Sequence, residues 1–315
     1  MGTPEFAVPS LTLLAERGFD VAAVITQPDR PVGRGGKVTP PAVKVAALRL
    51  GLRVFQPATL RTPEAVSVIR DLTPEAIVVV AYGQILRRTV LDLPPLGCIN
   101  LHPSLLPKLR GASPIQAAIR EGLTETGITI MLMNERMDAG PVLSQAHFPV
   151  LDDDTAQSLG ERLAIAGARL LVETLPRWKA RQIEPIPQVE ADATYCAPLR
   201  KVDANVGWSR PAVEIARVCR AQTPWPGCQT FWGDRQLRLF ALEALSAWSG
   251  TEVPGRVFAA KDPMSGEVFL GAATGRGALR INALQLPGKR ALTAAEFLRG
   301  YPAIVGSVLS NTPPT

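Results

Sequence analysis

Cys98-Ile99-Asn100-Leu101-His102-Pro103-Ser104-Leu105-Leu106-Pro107 closes an apolar run with two polar side chains set two residues apart. In a strand, alternate residues share a face, so Asn100 and His102 project together from the end of a buried segment. An amide beside an imidazole suits a carbonyl oxygen that gains negative charge, since Asn donates a hydrogen bond and His donates a proton. His102 is one of only two histidines. A carboxylate would complete the set, and Asp138 stands in the small-residue turn Met137-Asp138-Ala139-Gly140-Pro141, just after a second strand-like run.

Working outward, short β-branched runs alternate with helical patterns. Residues 21–26, 76–81, 97–102 and 127–133 read as strands, and 41–50, 63–72 and 114–121 as helices with proline in the first turn. This alternation predicts an α/β fold with a parallel or mixed sheet covered by helices. Ligands in such sheets bind beyond the carboxyl ends of the strands, where Asn100 and His102 fall. Residues 155–180 form a long amphipathic helix with Asp152, Asp153 and Asp154 at its positive dipole end.

Residues 182–198 contain Pro185, Pro187 and Pro198 and lack a sustained period, so they read as a linker between a domain of residues 1–181 and one of residues 199–315. In the second, 211–221 is helical, and short alternating runs at 236–239, 267–270 and 278–284 predict a smaller β-barrel. The net charge of +6 is divided unevenly: residues 1–198 hold 20 Lys+Arg against 20 Asp+Glu, and residues 199–315 hold 14 against 8. A basic module beside a neutral one is the pattern expected when a polyanion must be held while chemistry happens elsewhere.

The four cysteines, Cys98, Cys196, Cys219 and Cys228, show no C-x-x-C pair and no histidine at ligand spacing, so no metal is expected. Reduced thiols and a cytoplasmic location follow as expectations. The most apolar run, 76–81, is far shorter than a membrane span, and the start has no secretory leader pattern, so no membrane partner is expected.

Asn100-Leu101-His102-Pro103-Ser104-Leu105-Leu106-Pro107, followed by Arg110-Gly111-Ala112-Ser113-Pro114-Ile115-Gln116 and the Met137–Gly140 turn, resembles the formyltransferase family that uses 10-formyltetrahydrofolate. Within it, Gly2-Thr3-Pro4-Glu5-Phe6-Ala7, Thr26-Gln27-Pro28-Asp29-Arg30-Pro31 and Pro224-Trp225-Pro226-Gly227 resemble the members that act on methionyl initiator tRNA. The resemblance implies a Rossmann-like catalytic domain and an OB-like second domain. It implies Asn100, His102 and Asp138 as catalytic residues, with folate as formyl donor and the charged tRNA as partner of a monomeric enzyme. Ser104, Leu105, Leu106 and Pro107 then match the folate loop, with Tyr82 and Gly83 as a further wall. In the family's pattern an apolar strand precedes the Gly2–Ala7 turn, so Met1 is expected to be an internal methionine with a first strand upstream.

Arg30-Pro31-Val32-Gly33-Arg34-Gly35-Gly36-Lys37 lacks the spacing of a nucleotide P-loop and reads as a mobile basic loop. Arg30, Arg34 and Lys37 would contact tRNA, against the plainer reading of a solvated loop. His147, with no accompanying carboxylate motif, reads as structural; residues 271–277 read as a hairpin turn; and Trp225 and Trp232 read as packing anchors before base-stacking platforms. Two other functions compete: a folate-dependent formyltransferase for a small amine, which has no need of the basic domain, and a non-catalytic RNA-binding protein, which has no need of the intact trio.

Overall fold

The computed structural model describes residues 1–32, 36–245, 248–262 and 264–313. They divide into two compact units, one of Met1–Ile115, Thr124–Val150 and Ser158–Ala197, the other of Gln116–Leu123, Leu151–Gln157 and Pro198–Thr315.

The first unit is α/β. Strand Val24–Ile25 pairs in parallel with Val54–Phe55. Ile77–Val79 runs parallel to Cys98–His102, which pairs antiparallel with Glu125–Leu132, itself antiparallel to Val142–Pro149. Met1 and Gly2 join the two ladders: Gly2 N–H donates to the Ile25 carbonyl and Val80 N–H to the Met1 carbonyl. The buried α-amine of Met1 donates to the Val78 carbonyl at 2.6 Å, and burial pushes its pKa down to about 6. Helices Ala42–Arg49, Pro63–Asp71 and Ala156–Lys179 form where the spacing predicts them, as does Pro114–Glu121, most of which counts with the second unit, and Thr62 caps the Pro63–Asp71 helix by accepting from Ala65 N–H.

Every residue of Cys98–His102 is buried, the consequence of lying inside the sheet. Ile99 and Leu101 fill the core, and alternation leaves Asn100 and His102 together on the opposite face.

The second unit is a barrel. Its antiparallel strands follow the order Cys228–Trp232, Arg235–Leu245, Ala278–Gln285, Val268–Ala273, Val257–Lys261. The last residues close it, because Ser310 bridges Phe231 on one edge and Val308 bridges Arg256 on the other. Leu237, Leu270, Leu279, Ile281, Leu284 and Phe297 fill the interior. Helix Ala212–Ala221 contributes Ile215 and Ala216 to the same core.

Three expectations need correction. Cys219 and Cys228 form a disulfide rather than two reduced thiols, because the turn at 222–227 brings the end of the helix beside the Cys228 strand, with a Cα separation of 5.4 Å. Cys98 and Cys196 are buried thiols, and burial raises Cys98 to about 12. His147 does have a carboxylate partner, since its exposed ring lies 3.0 Å from Glu125 on the adjacent strand. Trp225 is 52% exposed and anchors no core, whereas Trp232 packs edge-on to Phe297 and Tyr301. The 271–277 stretch does turn a hairpin, closed by Thr274 N–H donating to the Gly277 carbonyl.

Candidate active site

His102 ends its strand facing the Met137–Gly140 turn. Its Nε2 lies 3.0 Å from the Leu109 carbonyl, which only accepts, so Nε2 carries a proton and Nδ1 is the nitrogen left to react. Nδ1 faces Asp138 Oδ2 at 3.8 Å, an ion-pair distance beyond direct hydrogen bonding. Asp138 Oδ2 also accepts from Gly111 N–H at 2.8 Å. Both partners are shielded, His102 to 6% and Asp138 to 18% side-chain exposure, which strengthens any charge interaction between them. The structure therefore brings His102 and Asp138 together, with Asn100 buried on the same strand face.

The turn that carries Asp138 is held in an uncommon backbone state. Asp138 has φ of 48°, the left-handed region, where a non-glycine residue persists only if its surroundings enforce it. Gly140 packs so tightly that a Cβ there would lie 1.7 Å from the Leu132 carbonyl oxygen.

Ser104, Leu105, Leu106 and Pro107 form a braced loop beyond the strand. Ser104 N–H donates to the His102 carbonyl and its hydroxyl to the Lys108 carbonyl. Thr129 accepts from Leu106 N–H at 3.1 Å and donates to the Ser104 carbonyl at 2.7 Å. Gln145 donates to the Leu106 carbonyl and to the Thr129 hydroxyl. Neither Thr129 nor Gln145 is legible as a site residue from sequence. Their only signal is a polar side chain inside a strand, with Thr129 fully buried.

Tyr82 buries its side chain in the core. Its ring is 2% exposed within the apolar cluster of Leu60, Val66, Ile69 and Leu86, and burial raises its hydroxyl to about 12. Its backbone carbonyl is taken up by the Thr3 hydroxyl and the Gln27 amide. Gly83 is exposed with φ of 85°.

The basic segment forms a hairpin, Arg30–Val32 against Lys37–Thr39. Arg30 donates to the Gln27 side chain at 3.1 Å, and Lys37 is exposed. Arg34 lies outside the described residues. At the root, Gln56 and Lys44 both reach Asp29, and the Gln56 hydrogen bond, followed by that of Lys44, holds its carboxyl below the usual range.

The stretch read as a linker belongs to the site. Ile186 bridges Val142, and Tyr195–Cys196 pairs in parallel with Arg110–Gly111. Gln188 donates to the carbonyls of Asp138 at 2.8 Å and Gly140 at 2.7 Å. Arg110, 1% exposed, donates from Nε to Gln188 and from Nη1 to Glu190 and Tyr195.

Comparison with known proteins identifies the family. Residues 1–175 match the family described as Formyl transferase, and residues 198–302 match Formyl transferase, C-terminal domain. The chain is 44% identical over 311 residues to Methionyl-tRNA formyltransferase of Citrifermentans bemidjiense, covering 99% of this chain and 95% of that protein. It is 45% identical over 303 residues to the protein of the same name from Chloroflexus aurantiacus, covering 96% of each. Among solved structures, WlaRD, a sugar 3N-formyl transferase crystallised in the presence of dTDP and 5-N-formyl-THF, superposes with a TM-score of 0.61 at 17% identity over 92% of this chain and 97% of that one. HypX from Aquifex aeolicus in complex with tetrahydrofolic acid gives 0.57 at 20% identity over 76% of this chain and 41% of that one. These two likenesses concern the fold.

Proposed function

The chain belongs to the formyl transferase family, and we propose that it moves the formyl group of 10-formyltetrahydrofolate to the α-amine of methionine charged on initiator tRNA. The observation that carries the chemistry is the His102–Asp138 pair, placed at the end of the strand that also presents Asn100.

In this reaction the amine nitrogen attacks the formyl carbon and the carbonyl oxygen becomes anionic. Collapse then breaks the bond to the folate nitrogen, which leaves with a proton. Asn100 donates to the developing oxyanion. His102, with Nε2 committed to the Leu109 carbonyl, handles the proton at Nδ1. Asp138 opposes the positive charge that forms there. The braced loop Ser104–Pro107 is the folate-facing element of this reading. Its backbone is already rigid, so binding orders little further chain.

The basic segment 199–315, which carries the barrel strands, holds the tRNA, with Arg30 and Lys37 of the hairpin, and Arg34 between them in sequence, meeting its acceptor end. A cytoplasmic monomer suits both substrates; the location rests on the folate and tRNA rather than on the cysteines, two of which are bonded. Transfer of labelled formyl from the folate donor is measured onto charged initiator tRNA and, in parallel, onto small amines such as amino sugars. Transfer to the tRNA alone is expected; transfer confined to the small amines overturns the assignment.

A further inference from the structure

We propose that Gln188 and Arg110 are positioning residues that hold Asp138 against His102 and thereby set the rate of the proton-transfer step. The proposal rests on the reading of His102 and Asp138 as the reacting pair.

Residues 134–139 are mostly exposed, so burial restrains them little, and Asp138 sits in a left-handed conformation, which Asp adopts more readily than most residues. Gln188 supplies the restraint. One amide nitrogen grips the carbonyls of Asp138 and Gly140 at 2.8 and 2.7 Å, on either side of Ala139.

Gln188 cannot turn over. Arg110 Nε donates to its oxygen at 3.0 Å, and a guanidinium has only donors, so the amide oxygen must face Arg110 and both amide hydrogens must face the turn. Arg110 is in turn fixed by Glu190 and Tyr195 on Nη1.

The residue after Arg110 closes the ring, because Gly111 N–H donates to Asp138 Oδ2. Asp138 is thus held at its carbonyl through Gln188 and at its carboxylate through Gly111, and both restraints converge on the Arg110–Gly111 strand. That strand is itself anchored by Tyr195–Cys196. Placement errors near 1 Å at a reacting group are costly, so a ring that fixes both ends of Asp138 acts on rate more than on substrate binding.

The test is steady-state kinetics of Gln188→Met, alone and combined with Asp138→Asn. The expected result is a loss in kcat of about 10-fold or more with KM for both substrates within about twofold, and a change in the pH profile of kcat. In the Asp138→Asn background, Gln188→Met should cost nothing further, because its effect passes through Asp138. If Gln188→Met does not fold, Gln188→Asn, one methylene shorter and still an amide, cannot span both carbonyls and Arg110, and it should show the same split. A folded variant with kcat within about twofold of the parent, or losses that add in the double variant, overturns the proposal. Full activity of Asp138→Asn by itself would instead overturn the reading of the site.

Discussion

Asp138 Oδ2 lies 3.8 Å from His102 Nδ1 while its other contact, the Gly111 amide at 2.8 Å, holds it in place. The carboxylate is therefore near enough to oppose a charge on the imidazole and far enough to leave Nδ1 available to a reacting nitrogen. This separation underlies the first prediction.

His102→Ala, Asn100→Ala and Asp138→Asn should each lower turnover by about 10²–10³ with tRNA affinity nearly unchanged. Single-turnover formylation of charged tRNA gives the rate, and filter binding gives the affinity. A variant turning over within about threefold of the parent would remove that residue from the mechanism.

Gly140→Ala places a Cβ against the Leu132 carbonyl oxygen, a backbone atom that cannot swing aside. The turn must move, at a cost of about 1–3 kcal/mol in stability and with Asp138 displaced. Urea unfolding and turnover should both register it. Parental values in both would mean that the turn shifts freely.

Asp262, in the barrel unit, has its pKa lowered to about 2 by the Ser265 and Met264 amides and then by Arg280. A carboxyl depressed on folding adds stability above its unfolded pKa of about 3.9 and loses it as pH falls through the folded value. Asp262→Asn should therefore be less stable than the parent at neutral pH, with the gap closing between about pH 4 and pH 2. Thermal unfolding across that range checks the sign, and a constant gap would refute it.

The Cys219–Cys228 disulfide closes a short loop, so reducing it, or replacing both cysteines with alanine, should lower barrel stability by about 2–3 kcal/mol. Thiol counting under denaturing conditions, with and without reductant, reports the bond. Four titratable thiols without reductant would show it unformed.

Binding of charged tRNA should weaken by about 10²–10³ between about 50 and 200 mM salt, as phosphate contacts by the basic segment 199–315 require. A nearly flat salt dependence would place recognition elsewhere.

The local signals in the chain determined the main elements around Asn100 and His102 and the nature of the chemistry, but marked neither helix Val8–Glu16 nor helix Ala294–Gly300. The strand Cys98–His102, the helices 63–71 and 114–121 and the hairpin around Gly277 appear where periodicity, proline and glycine place them, because these signals act within a few residues. Asn100 and His102 share a face by alternation alone. Tertiary structure decided what joins residues far apart. Gln188 lies in a proline-rich stretch without period, Arg110 in a two-residue strand and Thr129 inside a longer one, and none carries a local mark of its role. The Cys219–Cys228 bond depends on the path of residues 222–227, and the exposure of Trp225 on where that turn meets solvent. A hydrogen bond between distant side chains is specified by the assembled backbone, not by either residue's neighbours in sequence, so the ring that holds Asp138 became visible only in three dimensions.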